Sequence, residues 1–103
     1  MEKRQPLMPF PVHISVENCL GNTTATTLLH RFIEQAKQSF DVTVMTPPSG
    51  TDSQAEAIIS VPFADRERIR IAFNIYASEA EDIHGVGLYF HMESASPVQD
   101  NKA

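Results

Sequence analysis

One cysteine, no tryptophan and four glycines in 103 residues remove several classes of protein at once. With Cys19 alone there is no intrachain disulfide and no cysteine-rich zinc site, and a reducing compartment fits. Basic residues are also scarce, eight against thirteen acidic, for a formal charge of −5. Phosphate-backbone binding depends on clustered Lys and Arg, so this balance disfavours a nucleic-acid partner. No apolar run reaches the roughly 20 residues that span a bilayer. At the start, Lys3 and Arg4 are followed by Pro6, Pro9 and Pro11 rather than by the apolar segment of a signal peptide. The expectation is a cytoplasmic protein that does not engage membranes.

Catalytic signatures are missing too. The sequence holds no phosphate loop, no Gly-x-Ser-x-Gly and no His-Glu-x-x-His. Gly85-Val86-Gly87 echoes a dinucleotide loop without the helix that must follow it, and His91-Met92-Glu93 echoes a zinc deaminase without its cysteine pair. No cofactor and no metal are implied.

What remains is the composition of a globular domain, 42% apolar and 20% charged, at a length that allows one hydrophobic core. A chain this size buries only about two thirds of its unfolded surface, so a subunit interface would add stability and a homodimer is expected. The acidic excess lies wholly in residues 51–103, which carry nine acids and four bases.

Along the chain, residues 1–11 read as an extended proline-rich arm that carries Leu7, Met8 and Phe10. These either pack on the domain's own core or reach a partner subunit. Residues 12–93 form the domain and 94–103 a loose tail. Val12, Ile14 and Val16 alternate with His13, Ser15 and Glu17, the period of a half-buried strand. Asn22, Thr23 or Thr24 can cap a helix in which Ala25, Leu28, Leu29, Phe32, Ala36 and Phe40 recur at helical spacing. Val42 and Val44 make a second strand that ends at Pro47-Pro48-Ser49-Gly50. Ala55 to Val61 gives a third, stopped by Pro62.

Ile69, Ile71, Phe73, Ile75 and Ala77 alternate with Arg68, Arg70, Ala72, Asn74 and Tyr76, which predicts a fourth strand. Residues 78–85 read as a polar loop and Val86 to Glu93 as a fifth strand. The fold predicted is α+β, in the order β-α-β-β-β-β, with one amphipathic helix on one face of a mostly antiparallel, meander-like five-stranded sheet. The cystatin-like fold has the same order, but nothing resembles that family's protease-binding segments.

Alternation gives the sheet face away from the helix a polar and aromatic set: His13, Ser15, Glu17, Thr43, Arg68, Arg70, Asn74, Tyr76, Tyr89, His91 and Glu93. Such a face is simply wet, or packs on another protein, or lines a pocket. Arg66, Arg68 and Arg70 form a stripe able to grip an anion or to blunt a strand edge. The loop containing Glu79, Glu81, Asp82 and His84 offers carboxylates to a cation without the spacing of a calcium loop. Cys19 reads as a small buried apolar residue, and His30 and Glu34 as solvated helix surface.

These features favour a non-enzymatic protein-binding module, an inhibitor, immunity-type or regulatory factor acting as a homodimer. Tyr76, Tyr89, His91, Glu93, Arg68, Arg70, Glu79, Glu81 and Asp82 are its binding candidates. The alternatives are a small-molecule-binding protein or enzyme with its pocket on the open sheet face, using His13, His91, Glu93 and Tyr76, and a component of a larger assembly.

Overall fold

A computed structural model of the chain describes residues 9–19, 23–84 and 88–95. Leu7, Met8, residues 85–87 and the expected tail beyond residue 95 lie outside them. Strand β1 (Pro9–Glu17) leads to helix α1 (Ala25–Lys37), the hairpin β2 (Thr43–Gly50) and β3 (Ala55–Pro62), helix α2 (Arg66–His84) and strand β4 (Tyr89–Ser94). All pairings are antiparallel, and the strands lie in the order β2-β3-β1-β4. β1 and β2 therefore run parallel with β3 between them, and β3 and β4 run parallel with β1 between them. These are two interleaved split β-α-β units, the ferredoxin-like topology.

The α+β class agrees with the sequence reading, but its five strands become four and its meander becomes this interleaved order. The predicted fourth strand is a helix of 19 residues. Its buried members, Ile69, Phe73, Tyr76 and Ala80, follow one another at four-, three- and four-residue steps, the period of a helix face. Ile71 and Ile75, 57% and 56% exposed, lie on the outer side. Isoleucines on both sides of the helix mimic alternation. A 3-10 turn at Phe63–Asp65 leads in after Pro62, and Arg68–Asp65 and Arg70–Glu67 pair at i,i+3 over 3.1 and 3.4 Å. Residues 78–84, expected in a loop, continue the helix, so Glu79, Glu81 and Asp82 are exposed helical side chains.

Two smaller corrections concern proline. β2 does not stop at Pro47-Pro48 but runs through them to Gly50, because it is an edge strand and its register slips twice against β3, and edges and bulges tolerate a missing N–H. Pro9 and Pro11, assigned to an arm, belong to β1, which is central. β4 pairs with β1 only from Val12 onward, so the prolines occupy a stretch bonded mainly on its β3 flank. Asn18, at φ 60°, ends β1 in a conformation that asparagine tolerates better than most residues.

The core lies between one sheet face and the two helices. Val12, Ile14 and Val16 of β1 and Ala55, Ala57, Ile59 and Val61 of β3 face Leu28, Leu29, Phe32, Ile69 and Phe73. Thr24 caps α1, its hydroxyl accepting from the Thr27 N–H at 3.1 Å. Phe10 packs against the core and meets Phe63 edge-on at 5.7 Å. No described helix is long and apolar enough to cross a membrane.

Two groups in this core hold protons tightly. Burial, then the nearby Asp52 carboxylate, pushes the Cys19 thiol up. Burial pushes the Tyr76 phenol up, partly offset by Arg31. A raised folded-state value means the folded protein binds the proton more tightly than the unfolded chain. Stability is then intact below the ordinary thiol and phenol ranges and falls as pH rises through about 8.5 to 10 and beyond. Urea midpoints across that window are expected to drop, and Tyr76→Phe is expected to flatten the fall above about pH 10. An unchanged slope in that variant would remove Tyr76 as its source.

Candidate functional site: the uncovered sheet face

Both helices pack on one side of the sheet, and among the described residues nothing covers the other. Strand register sets its side chains in rows. His13 stands between Ile58 of β3 and Glu93 of β4, Ser15 between Glu56 and His91, and Glu17 beside Tyr89. Thr43 neighbours Ser60, which in turn faces Pro11.

A polar chain crosses three strands on this face. The His13 Nε2 position lies 2.8 Å from Glu56 Oε1, which fits an imidazole N–H donating to the carboxylate. His13 Nδ1 is 3.8 Å from Glu93 Oε2, and His91 Nε2 is 3.4 Å from Glu93 Oε1. Tyr89 and His91 stack, with ring centres 6.2 Å apart and planes within 15°. Tyr89 is exposed, so the stacked pair offers an aromatic platform at the β4 edge.

Lys and Arg are missing from all four strands. The fixed charges of the face are thus the carboxylates of Glu17, Glu56 and Glu93. Its other end is apolar: Pro9, Pro11, Thr43, Met45 and Ser60 line a depression of about 420 Å³, and Met45 is exposed.

Of the residues predicted for this face, His13, Ser15, Glu17, Thr43, Tyr89, His91 and Glu93 are brought together. Arg68, Arg70, Asn74 and Tyr76 are not, because α2 lies across the sheet from it. Tyr76 is buried, its hydroxyl donating to the Leu28 carbonyl at 2.7 Å, and takes no part in acid–base chemistry on the face. Glu79, Glu81 and Asp82 follow it onto α2. The Arg66–Arg68–Arg70 stripe also divides. Arg66 and Arg70 share one side of α2, while Arg68 turns away to Asp65 and to the Phe40 ring, 5.3 Å from its guanidinium.

Sequence reasoning missed Glu56, Ile58 and Met45. Glu56 was legible: it sits between Ala55 and Ala57, both buried, so alternation alone sends it to the opposite face.

Chemically, two imidazoles and two carboxylates can accept and donate protons. The cleft beside His13, bordered by Glu56, Gly50 and Gln54, has a volume of about 200 Å³, below the roughly 300 Å³ where ligand pockets begin. No three described His, Cys, Asp or Glu side chains are arranged to hold a metal ion. Cys19 is buried, and its thiol donates to the Thr23 carbonyl at 3.4 Å. Burial with a raised thiol value is the setting of an inert cysteine, not of a nucleophile. His30 and Glu34 are exposed on α1, with Glu34 3.5 Å from Lys37. Compared with known proteins, the sequence matches no family model and no curated protein.

Proposed function

We propose that this chain is a non-enzymatic protein-binding module whose uncovered sheet face docks on a basic surface of another protein. The observation that carries the reading is the face itself. It joins an apolar depression at Met45 to an aromatic and acidic end at Tyr89, Glu56 and Glu93, with no Lys or Arg in any strand. Interfaces combine an apolar centre with a polar rim and use tyrosine, methionine and charge complementarity in this way.

A defined cationic probe, an Arg-Lys repeat peptide, titrated into isotope-labelled protein at low salt tests it. Amide shifts are expected to cluster at His13, Ser15, Glu56 and Tyr89 to Glu93, to vanish at high salt, and to be lost with Glu56→Lys/Glu93→Lys. Shifts confined to α1 and α2 would overturn the proposal.

The homodimer has its own support. Ile71 and Ile75 stand one turn apart on the outer side of α2, with Arg68 toward the N-terminal end and Glu79 and Asp82 toward the C-terminal end. Two copies crossing antiparallel would set isoleucine on isoleucine and arginine on carboxylate, the self-complementarity of a two-fold interface. Solution mass by light scattering is expected to fall from dimer to monomer in Ile71→Glu/Ile75→Glu. A wild-type monomer at every concentration would remove the homodimer and leave the sheet-face reading standing.

A further inference from the structure

We propose that a second site, a pocket between β4 and the start of α2, binds a small organic anion. It takes the carboxylate or phosphate between Arg66 and Arg70 and the apolar body against Phe10, Phe63 and Met92. The cavity has a volume of about 480 Å³, within the range of small-molecule pockets, and lies at the helix-side edge of the sheet rather than on its uncovered face.

Its chemistry follows from the helix. Residues four apart on an α-helix share a side, so Arg66 and Arg70 both line the cavity while Arg68, two positions from each, does not. Phe10 and Phe63, edge-on at 5.7 Å, form one wall. The Arg66 guanidinium lies 3.9 Å over the Phe63 ring, and its Nη1 donates to the Phe63 carbonyl at 2.9 Å. These contacts fix the guanidinium while using one of its five donors. Among the described residues it has no carboxylate within ion-pair distance. A guanidinium held in place by an aromatic ring is prepared for an oxyanion, because the ordering cost is met before the ligand arrives.

Arg70 is held more loosely, 3.4 Å from Glu67, with both side chains exposed. Such a pair contributes little and exchanges readily for a better acceptor. Glu67 and Glu93 also border the cavity. The Glu93 carboxylate is turned to His13 and His91 on the other face, which leaves Glu67 as the acidic group beside the two arginines. One carboxylate against two guanidiniums leaves room for a ligand of low charge and selects against polyanions. The apolar wall selects for a hydrocarbon or aromatic body.

Amide-shift titration of the full chain with phenyl phosphate, benzoate, inorganic phosphate and benzyl alcohol tests the site and separates phosphate from carboxylate as the preferred head. Phenyl phosphate or benzoate is expected to give saturable shifts at Phe63, Glu67, Met92 and Ser94. Inorganic phosphate, lacking the body, and benzyl alcohol, lacking the charge, are expected to bind at least about tenfold more weakly. Arg66→Gln/Arg70→Gln should weaken the better ligand by about tenfold or more. Arg70→Gln alone, whose side chain bonds only Glu67 among the described residues, should act in the same direction if the double variant unfolds. Non-saturating shifts, shifts at other sites only, or undiminished binding in the arginine variants would overturn the assignment.

Discussion

Phe73→Ala is expected to bring the protein close to unfolding, whereas Ile75→Ala, two residues along, should leave stability almost untouched. Phe73 is 1% exposed and sits between the Phe32 and Phe90 rings, 4.9 and 5.8 Å from their centres, edge-on to both. Truncating a buried phenylalanine loses its transfer free energy, leaves a cavity and forfeits the ring contacts, about 3 to 5 kcal/mol in all. A domain of this size has only about 5 to 15 kcal/mol in total. Ile75 faces outward, and alanine is the better helix former, so its removal should fall within about 0.5 kcal/mol of neutral in the monomeric protein. Urea unfolding followed by circular dichroism, at concentrations where light scattering finds the monomer, reads both. Equal losses would mean that both side chains face the core, as in a strand, and would overturn the packing of α2.

The second large effect is expected at Gly50. Its φ of 147° is one that side-chain-bearing residues rarely adopt, and a Cβ there would lie 2.3 Å from the Gln54 carbonyl oxygen and 2.7 Å from the Ala55 Cα. Both obstacles are backbone, so no rotamer change relieves them, and the hairpin itself must open. That loop is anchored: the Cys19 N–H donates to the Ser53 carbonyl and the Ala25 N–H to the Asp52 carbonyl, each at 2.9 Å. Opening it therefore disturbs the end of β1 and the start of α1 together. Gly50→Ala is expected to cost about 2 to 3 kcal/mol, or about 10 °C or more in the thermal midpoint, while Ser49→Ala, exposed beside it, should shift little. A Gly50→Ala midpoint within about 2 °C of wild type would show that the turn relaxes without strain.

β1 and α1 were legible in the sequence because each buries one side and wets the other at a clean period, and β3 because a β-prone run ends at Pro62. Val12, Ile14 and Val16 are at most 2% exposed, and Leu28, Leu29 and Phe32 repeat at helical spacing. α2 was misread because its exposed isoleucines break the rule that outward positions are polar. Over nine residues, the four-residue steps from Ile69 to Phe73 to Ala77 fit a strand as well as a helix. Extended to Tyr76 and Ala80, only the helical period places every buried residue on one side. β2 was cut short because proline was read as a stop, whereas on a bulged edge it costs no ladder bond. The candidate site was legible where it rests on β1 and β4. Residues were misplaced on the face wherever α2 had been laid into the sheet, as at Tyr76, Arg68 and Arg70. Recognition of the Arg66–Arg70 pair depended on the helix, since a strand would have aligned Arg68 with them.

The interleaved strand order also has a consequence in time. β1 is made first, yet its two neighbours are β3, some 45 residues later, and β4, whose pairing ends at Ser94. Its valines and isoleucine must wait for the rest of the sheet, and the closure on β4 spans most of the chain. Such distant pairings slow folding relative to a helical bundle of the same length and prolong the exposure of an unsatisfied strand as the chain emerges from the ribosome. The prolines at positions 9 and 11 lie in that waiting strand, where a missing N–H at each makes premature pairing with another copy less favourable.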